Sequence, residues 1–415
     1  MKLLHAADLH IDSPLRGLDR YPGAPAEHLR NATRTAVDNL VDLALEEEVT
    51  AVLLAGDIYD GSWRDVNTGL YFTEQMRRLR EADIPVFMIS GNHDAENKMT
   101  MKLTLPDNVH RFPAQSAGSS VHEDLGLAVH GQSFAQAKVT DDLAAGYRSA
   151  VPGLFNVGLL HTSLDGRPGH DRYAPCNLER LVDHGYGYWA LGHIHKREVV
   201  HGDGVHVVFP GNTQGRHAGE TGPKGCTLVT VDGSGSVTGL EHRDLDTAAR
   251  WHEVPVRMTD ALDLDDACGL VERELQSRVT DHAVDGRVDA VRVVAVGASE
   301  AHTALLTRRE GFTAEVRGLG QDYPSVWIEK VRVDTSRPHD RVPPERLAGL
   351  VADVREEAAR LGASPERVLE VLTGTGLQGK LPAEVRASFD RDDGWAGRMA
   401  DGAADLLVAM LEESR

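Results

Sequence analysis

The sequence has few of the features that mark secreted or membrane-bound proteins. Only three cysteines occur in 415 residues, and none forms a C-x-x-C pair, so no disulfide framework is expected and a reducing compartment is favoured. No uninterrupted apolar run reaches the ~18 residues that a membrane span needs, and no charged and apolar leader precedes the first strand pattern. We therefore expect a cytoplasmic protein that does not contact a membrane.

Basic residues are also in deficit. Lys and Arg number 44 against 64 Asp and Glu, and the formal net charge of −20 excludes a polycation that coats nucleic acid non-specifically. With 41% hydrophobic and 26% charged residues the composition is that of a globular protein. At ~150 residues per domain the length predicts two or three domains. Binding to DNA would need a local source of positive charge, such as bound metal ions.

Strand-like and helix-like segments alternate over residues 1–200. Amphipathic helices are predicted over residues 27–48 and around Leu70, Met76 and Leu79. The predicted strands are Leu3–Ala7, Ala51–Ala55, Ile84–Ile89, Leu127–His130, Val157–His161, Tyr188–Leu191, Val205–Phe209 and Cys226–Val231. This alternation predicts an α/β fold with a parallel or mixed sheet and helices on both faces.

The pattern restarts after Asp244–Arg250 and becomes purely helical from Pro343. A helix over residues 263–279 and the strand-like segments Trp251–Met258, Val288–Val296, Phe312–Val316 and Val326–Val333 predict a small α/β unit. A helix start is predicted at Ser364-Pro365-Glu366. The last helix has an apolar stripe of Met399, Ala403, Leu406, Leu407 and Met410. The predicted parts are residues 1–245, 250–335 and 340–415.

Five short motifs follow predicted strands. They are Asp8-Leu9-His10, Gly56-Asp57, Gly91-Asn92-His93-Asp94, His161 and Gly192-His193-Ile194-His195. Loops beyond the carboxyl ends of strands in an open α/β sheet converge on one crevice, so these residues are expected to meet there. In D-x-H and H-x-H, alternate residues of an extended segment would point the same way. The preceding glycines would allow sharp strand exits and close backbone approach.

The donor types favour a divalent metal site. Carboxylates, imidazoles and one amide oxygen without thiolate are the ligands of hard to borderline ions, and seven such groups suit two ions that share a carboxylate. Each motif alone has a structural alternative, because a single His or Asp at a strand end is usually a turn or cap residue. The occurrence of all five in order, each after an apolar run, favours the metal site.

The motif order D-x-H, G-D, G-N-H-[DE], H and G-H-x-H resembles that of the calcineurin-type metallophosphoesterases over residues 1 to about 240. Within that superfamily, residues 5–14 (HAADLHIDSP) and the second domain resemble the SbcD-type DNA repair nucleases, in particular their YhaO-like bacterial branch. The resemblance implies a metallophosphoesterase fold. This is a mixed, sandwich-like sheet core flanked by helices, with residues 250–335 as a cap and a helical C-terminus.

The resemblance also implies residue roles. One metal ion would be held by Asp8, His10 and His195, the second by Asn92, His161 and His193, and Asp57 would bridge the two. His93 would be the catalytic histidine that binds no metal. Some family nucleases have a histidine three residues after the bridging aspartate, whereas this chain has Asp60, and protein phosphatases also have an acid there. We therefore hypothesise that Asp60 orients His93; the alternative is an acid in a surface turn.

The implied activity is that of a two-metal, Mn²⁺-dependent DNA phosphodiesterase that works mainly as a repair exonuclease. A hydroxide bridging the metals would attack phosphorus, and His93 would assist the leaving group. Nitrogen and oxygen donors without sulfur fit Mn²⁺, and four imidazoles fit Mg²⁺ less well. The alternatives are a small-molecule or cyclic-nucleotide phosphodiesterase and a scaffold that mainly binds a partner.

The resemblance further implies partners, namely DNA, an SbcC-type ABC ATPase and a second copy of the chain. The ATPase would dock on helices after the cap. The apolar stripe of the last helix is either part of that docking face or packed against its own domain.

Overall fold

The computed structural model describes residues 1–13, 25–60, 66–95, 104–165, 172–338, 348–377, 380–381, 389 and 394–413. Pro14, residue 340 and Pro343 lie outside these ranges. The chain divides into two compact units. The first comprises Met1–Glu253, His282–Val291 and Ser325–Glu329, and the second comprises Val254–Asp281, Arg292–Pro324 and Lys330–Arg415. The division into residues 1–245, 250–335 and 340–415 stays a prediction.

The first unit contains two six-stranded mixed sheets. One consists of β1 (Lys2–Ala6), β2 (Ala51–Ala55), β3 (Val86–Ile89), β4 (Val109–Arg111), β11 (Gly225–Val231) and β12 (Val237–Asp244). Its strand order is β12–β11–β1–β2–β3–β4, in which β1 to β4 are parallel neighbours and β11 is antiparallel to both β1 and β12.

The second sheet consists of β5 (Gly118–His122), β6 (Leu127–Gly131), β7 (Phe155–His161), β8 (Tyr188–Gly192), β9 (Glu198–Asp203) and β10 (Val205–Phe209). Its order is β5–β6–β7–β8–β10–β9, with β6, β7, β8 and β10 parallel. The edge strands β5 and β9 pair antiparallel with their neighbours.

The two sheets pack face to face because alternate residues of their buried strands point to opposite sides. Leu53 and Phe87 of the first sheet share one buried cluster with Val157 and Tyr188 of the second. Residues of the opposite parity, such as Leu54, face α1 (Ala26–Glu46) and α2 (Val66–Glu81). The outer face of the second sheet packs on α4 (Leu178–Asp183), and the one-turn helix α3 (Asn92–Ala95) follows β3. The predicted α/β fold with a sandwich-like mixed core and flanking helices is confirmed.

The apolar side of α2 differs from the prediction. Met76 and Leu79 are buried as expected, but Leu70 is 55% exposed and Phe72 occupies the buried face. Positions 72, 76 and 79 have i, i+4, i+7 spacing and share one face of a helix. Leu70 lies six residues before Met76, which at about 100° per residue places it on another side of the helix.

A three-stranded sheet of β13 (Ala249–Arg257), β14 (Val288–Ala298) and β15 (Val326–Ser336) follows, in that order. The helices among these strands are α5 (Leu264–Arg278), α6 (His302–Thr307) and α7 (Arg309–Gln321). The predicted strand Phe312–Val316 is wrong, because it lies inside α7. Phe312 and Val316 are both buried at i, i+4 spacing, which is the repeat of a helix face.

The C-terminal helices are α8 (Ala348–Gly362), α9 (Pro365–Gly374) and α10 (Trp395–Glu413). The predicted helix start at Ser364-Pro365 is observed at α9. The buried residues of α10 are Trp395, Ala396, Ala400, Ala404 and Val408, and a Cβ on Gly362 would lie 2.8 Å from Gly397 Cα. Leu406 and Leu407 of the predicted stripe are 42% and 46% exposed, so packing of this stripe on its own domain is wrong for them. Among the described helices, none has the length and hydropathy to cross a bilayer.

Candidate metal centre

The five motifs meet at the carboxyl ends of neighbouring strands in the first unit. Asp8, Asp57 and Asn92 follow β1, β2 and β3, which are adjacent parallel strands of the first sheet. His161 ends β7, and His193 directly follows β8, the neighbour of β7 in the second sheet. The packing of the two sheets thus brings both sets of strand ends together.

One donor group contains Asp8, His10 and His195, whose ligand atoms lie within 4.8 Å of one another. His10 Nε2 is 3.2 Å from His195 Nε2, and His195 Nε2 is 3.9 Å from Asp8 Oδ1. Asp8 and His10 are buried, and His10 Nδ1 has no hydrogen-bond partner among the described residues. Two imidazole nitrogens and a carboxylate turned toward one point have the arrangement and chemistry of a divalent-metal ligand set.

A second donor group contains Asp8, Asp57 and His161. His161 Nε2 is 3.5 Å from Asp57 Oδ2 and 3.0 Å from Asn92 Oδ1. Asp57 Oδ2 also lies 4.0 Å from His10 Nε2, so this oxygen stands between the two groups. The residues present therefore fit a pair of ions around Asp57.

His193 is placed at the same site in a different way. Its backbone N–H lies 3.1 and 3.0 Å from the two carboxylate oxygens of Asp8, to which it donates. Its ring lies 5.3 Å from that of His161, and it is not part of the donor groups found within 4.8 Å among the described residues. The role of His193 as a ligand stays a prediction.

Several donors have a left-handed backbone conformation that non-glycine residues rarely adopt. The φ angles are 53° at Asp8, 44° at His10, 52° at Asp57 and 99° at His193. Each residue in this conformation destabilises the folded state by ~1–3 kcal/mol, so surrounding hydrogen bonds are needed to stabilise it. Asp8 N–H donates to Gly56 O and His10 N–H to Asp57 O, at 3.0 and 3.1 Å. The prediction that the D-x-H motif is extended is therefore wrong. Asp8 and His10 have left-handed φ angles and are held by hydrogen bonds to the loop after β2.

The predicted close backbone approach is present at all three glycines. A Cβ on Gly56, whose φ is +94°, would lie 2.6 Å from His161 Nδ1. A Cβ on Gly91 would lie 2.3 Å from Asp57 Oδ1. A Cβ on Gly192 would lie 2.0 Å from Ala55 O and 2.9 Å from His161 Nδ1. All three positions therefore require glycine for the donors to come together.

The electrostatics of the buried donors also suit a cation. Burial raises the pKa of Asp8, because a carboxylate removed from water is disfavoured. Burial raises the pKa of Asp57 as well, but the positive charge of His161 outweighs it and the net shift is downward. Burial lowers the pKa of His161, whereas Asp57 raises it, to about 9. Bound divalent ions would neutralise these clustered carboxylates.

His93 and Asp60 are hydrogen-bonded beside the donors. His93 Nδ1 lies 3.1 Å from Asp60 Oδ1, and the His93 side chain is 36% exposed. Asp60 Oδ2 accepts a 2.6 Å hydrogen bond from Ser13 Oγ. Burial lowers the pKa of His93, but the hydrogen bond to Asp60 and the charge of Asp57 outweigh it, so the net shift is upward. The structure thus brings His93 and Asp60 together as the hypothesis requires.

Sequence reasoning missed three further residues. Asp94 is buried and accepts backbone N–H bonds from Ile58, Tyr59 and Gly91, which joins the loops after β2 and β3. It belongs to the G-N-H-D motif, which was a usable signal. Glu220 Oε1 lies 2.6 Å from His195 Nδ1, and Arg216 contacts both Glu220 and Asp60. These two residues lie after β10 and outside every motif, so no sequence signal pointed to them.

Two family models match the chain. The model for calcineurin-like phosphoesterases matches residues 1–197, and the model for the middle domain of the metallophosphoesterase YhaO matches residues 251–336. The metallophosphoesterase YhaO of Bacillus subtilis (strain 168) is 36% identical over 280 residues, which cover 66% of this chain and 67% of YhaO.

Two archaeal relatives are more distant. The DNA double-strand break repair protein Mre11 of Sulfurisphaera tokodaii is 22% identical over 261 residues, covering 60% of this chain and 64% of Mre11. Mre11 of Saccharolobus solfataricus is 24% identical over 217 residues, covering 51% and 54%. The chain thus spans less than two thirds of either Mre11. From the YhaO identity and the two family matches, the chain belongs to the calcineurin-like metallophosphoesterases, hydrolases of phosphoester bonds, and carries the YhaO middle domain.

Proposed function

We propose that this phosphoesterase is a two-metal, Mn²⁺-dependent DNA phosphodiesterase that works mainly as a repair exonuclease. The observation that carries the proposal is the position of Asp57 Oδ2, 4.0 Å from His10 Nε2 and 3.5 Å from His161 Nε2. A carboxylate between two sets of imidazole donors suits the two-ion sites of enzymes that cleave phosphodiesters. The names of the Mre11 relatives, which refer to double-strand break repair, support DNA as the substrate.

The metal ions would be held by the residues that the motifs nominate. One would bind Asp8, His10 and His195, the other Asn92, His161 and His193, with Asp57 shared. Divalent ions bound there would lower the pKa of a water molecule and offset the negative charge of the phosphate. The donors contain no sulfur, which supports Mn²⁺. Bound divalent ions would also supply local positive charge on a chain whose net charge is −20.

His93 would protonate the leaving sugar oxygen. Its Nδ1 is held at 3.1 Å by Asp60, so the ring is oriented and Nε2 is the nitrogen that can donate to substrate. The backbone N–H of His93 donates to Asp57 Oδ1 at 2.9 Å, which fixes the residue next to the shared carboxylate. Asp60 would thus position His93 without touching the substrate.

A small-molecule or cyclic-nucleotide phosphodiesterase would use the same donors. The YhaO middle domain in residues 251–336 favours DNA, because a domain of this size suits positioning a duplex end and a small substrate does not need it. A pure scaffold is disfavoured, since burying so many polar groups together is costly unless they bind something.

The test compares three substrates with the purified protein in Mn²⁺ buffer, with EDTA-treated protein as the control. We expect end-labelled duplex DNA to be shortened from its ends, with release of nucleotides, and bis-p-nitrophenyl phosphate to be hydrolysed. Hydrolysis of bis-p-nitrophenyl phosphate and cyclic AMP without any cleavage of DNA would contradict the proposed substrate and favour the small-molecule alternative.

We also propose, from the resemblance, an SbcC-type ATPase partner, a homodimer and a cytoplasmic location. The exposed Leu406 and Leu407 of α10 support a docking role for that helix, since large apolar side chains at the surface often mark interaction sites.

A further inference from the structure

We propose that Arg216 binds the substrate, donating a hydrogen bond from Nη1 to a non-bridging oxygen of the phosphodiester. This inference rests on the proposed phosphodiesterase site. It adds a residue that lies outside every motif and binds no metal.

Arg216 lies between the partners of two functional histidines. Its Nη2 donates to Glu220 Oε1 at 3.1 Å, and its Nη1 is 3.6 Å from Asp60 Oδ2. Glu220 in turn binds His195 Nδ1, and Asp60 binds His93 Nδ1. The guanidinium therefore stands beside both a proposed metal ligand and the proposed acid, where a phosphate has to sit.

The hydrogen bonds of Arg216 leave one end of its guanidinium for a ligand. Nε and Nη2 donate to Glu220 at 3.5 and 3.1 Å, Nη2 also lies 3.3 Å from His195 Nδ1, and the backbone N–H of Arg216 donates to Glu220 Oε2 at 2.8 Å. Within the described part of the chain, Nη1 has the Asp60 carboxylate at 3.6 Å, which is beyond hydrogen-bond distance. A guanidinium has two N–H groups on this nitrogen, and phosphate oxygens are strong acceptors for them.

The charge of Arg216 also acts on the site. Its side chain is 14% exposed, so it is only partly screened by water. An arginine side chain stays protonated in proteins, and the carboxylates of Glu220 and Asp60 lie beside this guanidinium. A permanent cation at this distance would attract a phosphodiester monoanion.

The alternative is that Arg216 only ties Glu220 to Asp60 and thereby supports His195. The two roles differ in their readouts. A substrate contact made in both the ground state and the transition state changes KM, whereas a support of His195 changes metal binding.

The experiment uses Arg216→Gln and Arg216→Lys, assayed on bis-p-nitrophenyl phosphate with Mn²⁺. This substrate presents the phosphodiester alone, so the result does not depend on DNA being the natural substrate. We expect Arg216→Gln to raise KM by about 10- to 100-fold, the usual effect of losing a charged hydrogen bond, with a smaller change in kcat. Arg216→Lys keeps the charge but loses the planar guanidinium, so its KM should lie between those of the wild type and Arg216→Gln.

Two readouts besides activity accompany the kinetics. Bound manganese per chain, measured by mass spectrometry, should equal that of the wild type in both variants. The affinity for inorganic phosphate, measured by calorimetry on the metal-loaded protein, should fall by a factor similar to the rise in KM.

Arg250→Gln is the matched control. Arg250 is 15% exposed and bonds two acids, with 2.8 Å hydrogen bonds to Asp244 and Asp246, in the same unit but in no contact with the donors. It should leave KM and phosphate affinity unchanged.

An unchanged KM together with a loss of bound manganese in Arg216→Gln would overturn the inference in favour of the supporting role. If Arg216→Gln does not fold, Arg216→Lys decides, and a KM within about twofold of the wild type then overturns it. If the protein does not cleave DNA but the Arg216 variants change KM and phosphate affinity as expected, the proposed DNA substrate is contradicted and the role of Arg216 is supported.

Discussion

His93→Ala is expected to lower the rate constant of DNA cleavage by about 10²–10⁴-fold, the range for loss of a general acid, while bound metal stays at the wild-type level. The reason is geometric: His93 Nδ1 is held 3.1 Å from Asp60 Oδ1. The His93 ring is in neither of the two donor groups that contain Asp8, although with His10 and Asp60 it forms a third group of possible ligands. The measurement is single-turnover cleavage of labelled duplex DNA, together with metal analysis of the same samples.

The choice of leaving group sharpens this prediction. An alkoxide needs a proton to depart, whereas p-nitrophenolate departs readily without one, so the defect of His93→Ala should be much smaller on bis-p-nitrophenyl phosphate. Asp60→Asn, which keeps the shape but removes the charge, should show the same pattern in weaker form. Equal defects on both substrates, or a loss of metal in either variant, would contradict the role of His93 as an acid.

Gly192→Ala is expected to destabilise the protein and abolish activity. The added Cβ would lie 2.0 Å from Ala55 O and 2.9 Å from His161 Nδ1, so the end of β8 has to move away from β2. Overpacking typically costs ~1–3 kcal/mol, and here the atom that would have to yield is backbone. Since His193 follows at once and His161 is the neighbour, both would leave their positions. Thermal unfolding and bound metal are the two measurements.

Gly233→Ala is the matched control in the same unit. A Cβ at Gly233 has nothing within 4 Å, and its backbone does not need a positive φ. The free energy of unfolding of Gly233→Ala should stay within ~0.5 kcal/mol of the wild-type value, and the variant should keep full activity. If the two alanine variants have the same stability and metal content, the close approach of β8 to β2 does not hold the site together.

The meeting of the donors could be predicted from sequence because strand ends are easy to locate. Each motif follows a short buried run such as Ala51–Ala55, and parallel neighbours bring their carboxyl ends together. The fold class followed from the same alternation of strands and helices. The sequence pattern therefore predicts that the donor residues lie close together, but it does not predict their backbone conformation.

The local conformation could not be predicted because it depends on distant residues. The left-handed backbone at Asp8 is held by the hydrogen bond from its N–H to Gly56 O, and no property of the D-x-H motif itself specifies it. Glu220 and Arg216 lie at the site because the segment after β10 passes beside it. This segment has no hydrophobic periodicity from which its position could be predicted. Similarly, Phe312–Val316 fits both structures: Phe312, Ala314 and Val316 alternate with polar residues as in a strand, while Phe312 and Val316 also have the i, i+4 spacing of a helix face.

The most direct test of the account is a crystal of the protein soaked in Mn²⁺ and measured at the manganese absorption edge. We expect two anomalous peaks about 3.5–4 Å apart, both within bonding distance of Asp57. One peak should also contact Asp8, His10 and His195, and the other Asn92, His161 and His193. A single peak, or two peaks of which neither touches Asp57, would contradict the shared two-ion centre.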